Sequence, residues 1–371
     1  MAGKSQEHAR PDAGFRWLRV AGALAVIISH APLVDGGRTT IFPLAWNMSV
    51  GDIALMAFFA MSGYQVSGSW ARDSSWWRFS ARRVLRIMPP LLLVLMATAF
   101  VIGPLFTNWS GGDYWQSSRT FRYVLFNAGL FGMQHDLPGV FADNPYPWAV
   151  NGSIWTLPME VLGYGVVLII GLLIAMGVTR LVLFPLLGTL IWLDSIFLAT
   201  NSINSKAGSI GQVPIGPTVS FLVAFVIGMI LYLYRDRIPL SPVAALVLSG
   251  AWLAVHWTPA DRYVLPFMAG YGVIVWAHHL PKRAEAHKRW AYGSYGMYLW
   301  GFPIQQMIVA AGVTNIWVLI FLASPAAYLA GVLSWRYIEE PTQQLRSYIR
   351  KPAPQPVPEP EPRPTEPAAV A

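Results

Sequence analysis

Residues 15–34 read FRWLRVAGALAVIISHAPLV. At 1.5 Å per residue, a helix of this length spans about 30 Å, the thickness of a hydrocarbon core. Its charges, Arg16 and Arg19, stand at the start, and beyond them only His30 interrupts the apolar run. Pro32 and Asp35 follow without a small-residue cleavage site, so the segment reads as a retained span and not as a signal peptide.

Nine more runs of this kind lie outward along the chain, at 49–70, 84–103, 153–176, 181–199, 217–234, 240–257, 263–280, 290–311 and 316–338. The stretch 121–134 (FRYVLFNAGLFGMQ) is apolar but too short to cross, and reads as re-entrant or interfacial. Only 12% of the 371 residues are charged, against about 25% in a soluble domain. The sequence therefore predicts an all-α integral membrane protein of about ten transmembrane helices.

Charge placement supports that count. With a cytoplasmic N-terminus and ten crossings, 21 of the 26 Lys and Arg residues fall on the inner side and 5 on the outer. Adding or removing one span destroys the asymmetry, so both termini are expected in the cytoplasm, with the protein in a bacterial inner (plasma) membrane. The clustering between apolar runs also argues against nucleic acid as the reason for the net charge of +8. The expected layout is a cytoplasmic N-terminal tail at 1–14, a membrane domain at 15–341 with a long outer loop at 104–152, and a cytoplasmic, Pro-rich, disordered tail at 342–371. Residues 352–371 carry Pro at 8 of 20 positions and are expected to form an extended, disordered spacer. There is no cysteine, hence no disulfide, thiolate metal site or thiol nucleophile. HExxH, P-loop and GxSxG motifs are absent as well, and no metal site is expected.

An ionisable group inside a span costs about 2.5–3.5 kcal/mol on insertion scales, which makes each one a functional candidate. His30 follows Arg19 by eleven residues, about 16 Å along one helix and close to three turns, so both share a face. An arginine at one level can then hold the anionic end of a long substrate while an imidazole acts at the other. The plainer reading makes Arg19 a topology anchor and His30 a packing residue. In SARRVLRIMPP at 80–90, Arg83 and Arg86 are three apart on one helical face, an arrangement that suits phosphate. Glu160, in NGSIWTLPMEVLGYG at 151–165, sits near the outer end of its span, where it can pair with His30 or make a structural contact. In YGSYGMYLWGFPIQQ at 292–306, Tyr295 and Tyr298 are candidate pocket residues, and Gln305 and Gln306 candidate donors to substrate hydroxyls.

These stretches, together with FFAMSGY at 58–64 and SWRYIEEP at 334–341, resemble the membrane-bound acyltransferase 3 family, in order and spacing, from residue 15 to about 341. The resemblance implies transfer of an acyl group, usually acetyl from acetyl-CoA, to a hydroxyl of a cell-surface or exported carbohydrate or glycolipid. It implies His30 and Glu160 as catalytic residues, and Arg19, Arg83 and Arg86 as the holders of acyl-CoA. Ser62, Trp155, Tyr295, Tyr298 and Gln305 are then expected at the substrate. No permanently bound cofactor is expected; partners are the bilayer, the donor, the acceptor and, in a biosynthetic setting, other polysaccharide-assembly proteins. One departure stands out: many members carry a histidine where this chain has Gly301. The competing reading is a transporter or flippase for a glycan or anion. Internal two-fold symmetry in hydropathy, common in transporters, is not visible here.

Overall fold

The computed structural model describes residues 12–37, 49–147, 149–199, 208–210 and 212–349. The expected disordered spacer at 352–371 lies outside them. The described residues are helical throughout apart from connecting loops and a two-stranded hairpin, β1 (Ser209–Ile210) with β2 (Val213–Pro214). The helices are α1 (Asp12–Val34), α2 (Val50–Arg72), α3 (Trp76–Ala97), α4 (Gly103–Phe106), α5 (Gly111–Gln116), α6 (Ser118–Ala128) and α7 (Leu157–Ala175). They continue as α8 (Leu183–Ala199), α9 (Ile215–Leu233), α10 (Pro242–Val255), α11 (Asp261–His279), α12 (Lys282–Ala286), α13 (Ser294–Ala310), α14 (Ile316–Ser334) and α15 (Glu340–Gln344).

A helix occupies each of the ten expected segments. Among the described residues, five helical stretches are long and apolar enough to cross a membrane: Ala13–Val34, Trp76–Phe106, Ser153–Ala175, Ile215–Leu233 and Ile316–Gln344. The protein is thus an all-α membrane protein. Other segments fall short for visible reasons. Helix α2 carries Asp52, Ser62, Gln65 and Arg72, which lower its hydropathy, while α8 and α13 have 17 residues each. Large apolar side chains cover the outside of the bundle, as Phe321 (76% exposed) and Leu246 (60%) illustrate; hydrocarbon, not water, suits such a surface.

Helix α9 is buried along nearly its whole length and forms the bundle's centre with α2. Lipid supplies no hydrophobic drive between helices, so close packing must hold them together. Glycines provide it. A Cβ at Gly63 of α2 would overlap the Phe225 carbonyl of α9, and a Cβ at Gly228 of α9 would overlap the Ala60 carbonyl of α2. Helix α1 runs beside α2, with Ser29 Oγ donating to Ser49 Oγ at 2.7 Å where a capping box of Ser49 and Asp52 starts α2.

Helix α6 ends the apolar part of 121–134 early, with Tyr123 and Asn127 buried and Leu125 and Phe126 exposed. Residues 142–147 and 149–151 return to α13. There Gln306 Nε2 donates to the carbonyls of Tyr146 and Ala149, both at 2.7 Å, and Asn151 Nδ2 donates to the Leu299 carbonyl at 2.9 Å. The chain after 341 differs from the expected tail. Residues 342–349 continue as α15 and a short turn packed on α3, and Gln343 and Arg346 face inward to a cavity.

Leucine at Gly63 or Gly228 is expected to separate α2 from α9 and lower the melting temperature in detergent by several degrees, a loss of about 1–3 kcal/mol for an overpacked crossing. Leucine at Gly188, which has open space around it, should leave melting unchanged.

Candidate active site

At the basic end of the bundle lies an open cavity of about 690 Å³, walled by α1, α2, α3, α7 and the segments around α13 and α15. Seven arginines line it (Arg16, Arg19, Arg72, Arg82, Arg83, Arg86 and Arg346), with three carboxylates, Asp73, Glu160 and Glu339. Such a concentration of charge inside a membrane bundle is tolerated only around a wet, ligand-accessible space.

The arginines are not equivalent. Asp73, in the turn between α2 and α3, takes Arg78 at 2.7 Å and Arg82 at 2.6 Å. The Arg78 hydrogen bonds first, and Arg82 with them, hold the Asp73 carboxyl well below the usual carboxylate range despite partial desolvation. Arg82 is thereby committed to structure. Arg83 and Arg86 remain on the cavity face. Arg86 Nη1 lies 2.8 Å from Glu339 Oε2 and its guanidinium sits 5.4 Å from the Tyr295 ring. Arg83 Nη2 donates to Ser69 Oγ at 3.4 Å, with its guanidinium near the Phe79 and Tyr164 rings, and its Nε is buried without a hydrogen-bond partner. Arg19 Nη2 donates to Gln65 Oε1 at 3.0 Å and lies 3.5 Å from Ser62 Oγ. Glu160 accepts from Tyr164 one turn along α7. Arg346 is pushed down to about 10 by burial first, then by Arg86 and Arg83.

Arg19, Ser62, Glu160 and Tyr295 also border a narrow slot of about 60 Å³ that continues inward between Leu55, Phe58, Phe59, Thr156, Leu157 and Tyr298. Its direction follows from the pairing of α1 with α2. Arg19 meets Ser62 and Gln65, a Cβ at Gly22 would meet the Phe58 ring, and Ser29 meets Ser49 beside Gly51. The two helices are antiparallel, so the slot, running from Ser62 to Leu55, advances along α1 from Arg19 toward His30. Tyr298 closes its inner end, with its hydroxyl 2.7 Å from both Thr156 Oγ1 and the Ser153 carbonyl.

His30 lines neither compartment. Its ring packs edge-on to Phe302 at 5.2 Å, one turn of α13 beyond Tyr298, and its Nδ1 is buried without a hydrogen-bond partner. Of the two contacts the sequence leaves open to Glu160, with His30 or a structural one, the structure shows a structural one, to Tyr164, beside Arg19 on the cavity wall. Trp155 packs at 5.9 Å from the Phe221 ring. Gln305 is fully buried, and its Nε2 donates to the Ile27 carbonyl at 2.8 Å; Gln306 holds the 144–149 segment. Trp155 and Gln305 therefore stand off the cavity and the slot. At Gly301 a Cβ would lie 2.8 Å from Ile27 Cγ1, so α1 fills the space that a larger side chain would need.

Sequence reasoning gave no role to Glu339 or Arg346. Glu339 stands in a π-helical turn (Trp335–Glu339) at the end of α14, and it points into the cavity with 2% exposure. Wider turns of this kind recur at functional sites. Its signal was present as an acid in SWRYIEEP, at the end of an apolar run. Arg346 had none, because a basic residue just past a span is expected on topology alone.

The acyltransferase-domain family profile matches residues 12–336. Among curated proteins, the chain is similar to an O-acetyl transferase of Shigella phage Sf6, 24% identical over 88% of this chain and 94% of that protein. It is also similar to Nodulation protein 10 of Rhizobium leguminosarum bv. viciae, 27% identical over 93% of this chain and 97% of that protein. No solved structure matches.

Two outcomes follow from the charge pairing. Glu339→Leu should destabilise the protein by about 2–3 kcal/mol, below the ~3–5 of a fully buried pair because Arg86 stays a quarter exposed. Adding Arg86→Met should restore melting toward wild type. For Asp73, a depressed folded-state pKa means that its contribution is complete above the unfolded value near ~4 and fades as pH falls below it. Melting temperature should therefore begin to drop near pH 5, roughly, and go on dropping through the acid range toward the depressed folded-state value, and Asp73→Asn should remove that part of the pH dependence.

Proposed function

The chain belongs to the acyltransferase 3 family, and on that premise we propose that it is an O-acetyltransferase moving acetyl from acetyl-CoA to a hydroxyl of a cell-surface or exported carbohydrate. The observation that carries this reading is the arginine-rich cavity narrowing into a slot that runs along α1 from Arg19 toward His30. A carrier needs a path of even polarity; a thioester donor needs an anion site, a thin apolar channel and a base at the far end.

In this reading the chain crosses a bacterial plasma membrane ten times with both termini inside, as the 21-to-5 charge asymmetry favours. The donor enters from the cytoplasm. Arg83 and Arg86 hold its diphosphate by charge-assisted hydrogen bonds, and Arg19 stands where phosphate gives way to the arm. The arm lies between Phe58, Phe59 and Leu157. Glu160, held by Tyr164, positions the arm at the slot entrance rather than acting on His30. The Tyr298 ring turns aside to let the thioester reach the His30 level.

There His30 takes the proton of the acceptor hydroxyl as its oxygen attacks the thioester carbonyl. The C–S bond breaks, and the proton passes to the leaving thiolate. The segment 142–151, packed on Phe302 through Tyr146 at 6.2 Å, brings the long loop to the same level, on the side from which the acceptor approaches.

The test uses purified protein in detergent, acetyl-labelled acetyl-CoA and a lipid-plus-polysaccharide extract. His30→Ala should lose transfer by about 10²-fold or more, and Arg83→Ala should raise the donor KM. Equal transfer by wild type and His30→Ala overturns the role of His30. Substrate movement across sealed vesicles with no acetyl-CoA consumed moves the protein to the transporters.

A further inference from the structure

Among the described residues that line the basic cavity, Arg16 aside, four buried polar atoms have no hydrogen-bond partner: Arg346 Nε and Nη2, Arg83 Nε, and Glu339 Oε1. Buried groups of this kind are nearly always satisfied, and an orphaned charged donor is more costly than a neutral one. Three of the four are guanidinium N–H groups, on arginines that already repel one another and Arg86. Glu339 answers Arg86 and the Gly296 backbone N–H and lies near enough to Arg346 to feel its charge, and Asp73 answers Arg78 and Arg82. What remains around the cavity is an excess of guanidinium groups over carboxylates, seven to three, the balance expected around an anion.

The donors occupy two levels. Arg86 lies against Tyr295, which borders both the cavity and the slot, so Arg83 and Arg86 stand at the slot's entrance. Arg346 belongs to the turn Leu345–Ser347 after α15 and is part-exposed; like Arg83 and Arg86 it lines the cavity and not the slot, but among the described residues it makes no ring contact of the kind that seats Arg86 on Tyr295 and Arg83 on Tyr164. A ligand matching this order has a thin arm, then a first anionic group, then a second one farther out. Acyl-CoA has it: the pantetheine arm, the diphosphate, and the phosphate on the ribose 3′ position.

We propose that Arg346 forms a second phosphate subsite at the cavity mouth that binds the 3′-phosphate of the acyl-CoA donor. The subsite rests on the donor assignment made above and adds to it a residue and a selectivity. Arg83 Nε completes the diphosphate level, and the turn carrying Arg346 becomes part of the active site instead of a tail. The fork geometry of a guanidinium suits phosphate in a way that an ammonium does not reproduce.

The experiment measures equilibrium binding of CoA and of dephospho-CoA, which lacks only the 3′-phosphate, to the purified full chain. Wild type should bind CoA at least about tenfold tighter, and Arg346→Ala should bring CoA down to the affinity of dephospho-CoA while leaving dephospho-CoA unchanged. Arg346→Lys should recover part of the difference. Equal wild-type affinity for the two ligands overturns the subsite and leaves the donor assignment standing. Equal weakening of both by Arg346→Ala, or no weakening, also overturns it. Failure of wild type to bind either ligand overturns both. Should Arg346→Ala fail to fold, the wild-type comparison decides whether the 3′-phosphate is recognised, and a narrowed CoA-to-dephospho-CoA difference in Arg346→Lys decides whether Arg346 recognises it.

Discussion

Arg19 reaching across from α1 to Ser62 and Gln65 of α2 sets the register on which the site depends. The same pairing places Gly22 under Phe58 and Ser29 against Ser49. A slip by one turn, about 5 Å, would move Arg19 away from the cavity and shift His30 relative to the inner end of the slot. Arg19 meets the cavity and the slot, and His30 follows it along the same helix, because two antiparallel helices are held in one register. Small residues make the close approach possible, and in lipid, where apolar surface gains nothing by leaving solvent, close approach is the main source of helix–helix affinity.

The cavity shows how such a bundle carries arginines. Two go to Asp73 and tie the α2–α3 turn. One goes to Glu339, whose position in a π-helical turn turns it inward. Arg83 and Arg346 keep buried N–H groups unsatisfied, a destabilising arrangement. The neighbouring slot is apolar and closed by Tyr298, whose hydroxyl is satisfied by Thr156 and Ser153. The polar and apolar compartments meet at Arg19, Glu160 and Tyr295, and that junction is where a molecule with a charged head and an uncharged arm fits.

The sequence determined the solvent, the helices and the basic face. Runs of about twenty apolar residues report lipid whatever the fold, and the three-residue spacing of Arg83 and Arg86 places them on one face of any helix that forms. The spacing of Arg19 and His30 is likewise a property of α1 alone. Tertiary structure decided what meets what across helices. Glu160 went to the Arg19 end and not to His30, Gln305 was consumed by the Ile27 carbonyl, Trp155 packed on Phe221, and Glu339 and Arg346 joined the cavity. Those outcomes depend on interhelical register and on a local widening of one helix turn. Both are set by backbone contacts between residues far apart in the chain, at glycines such as Gly63 and Gly228, and hydropathy and periodicity, being local, carry no record of them.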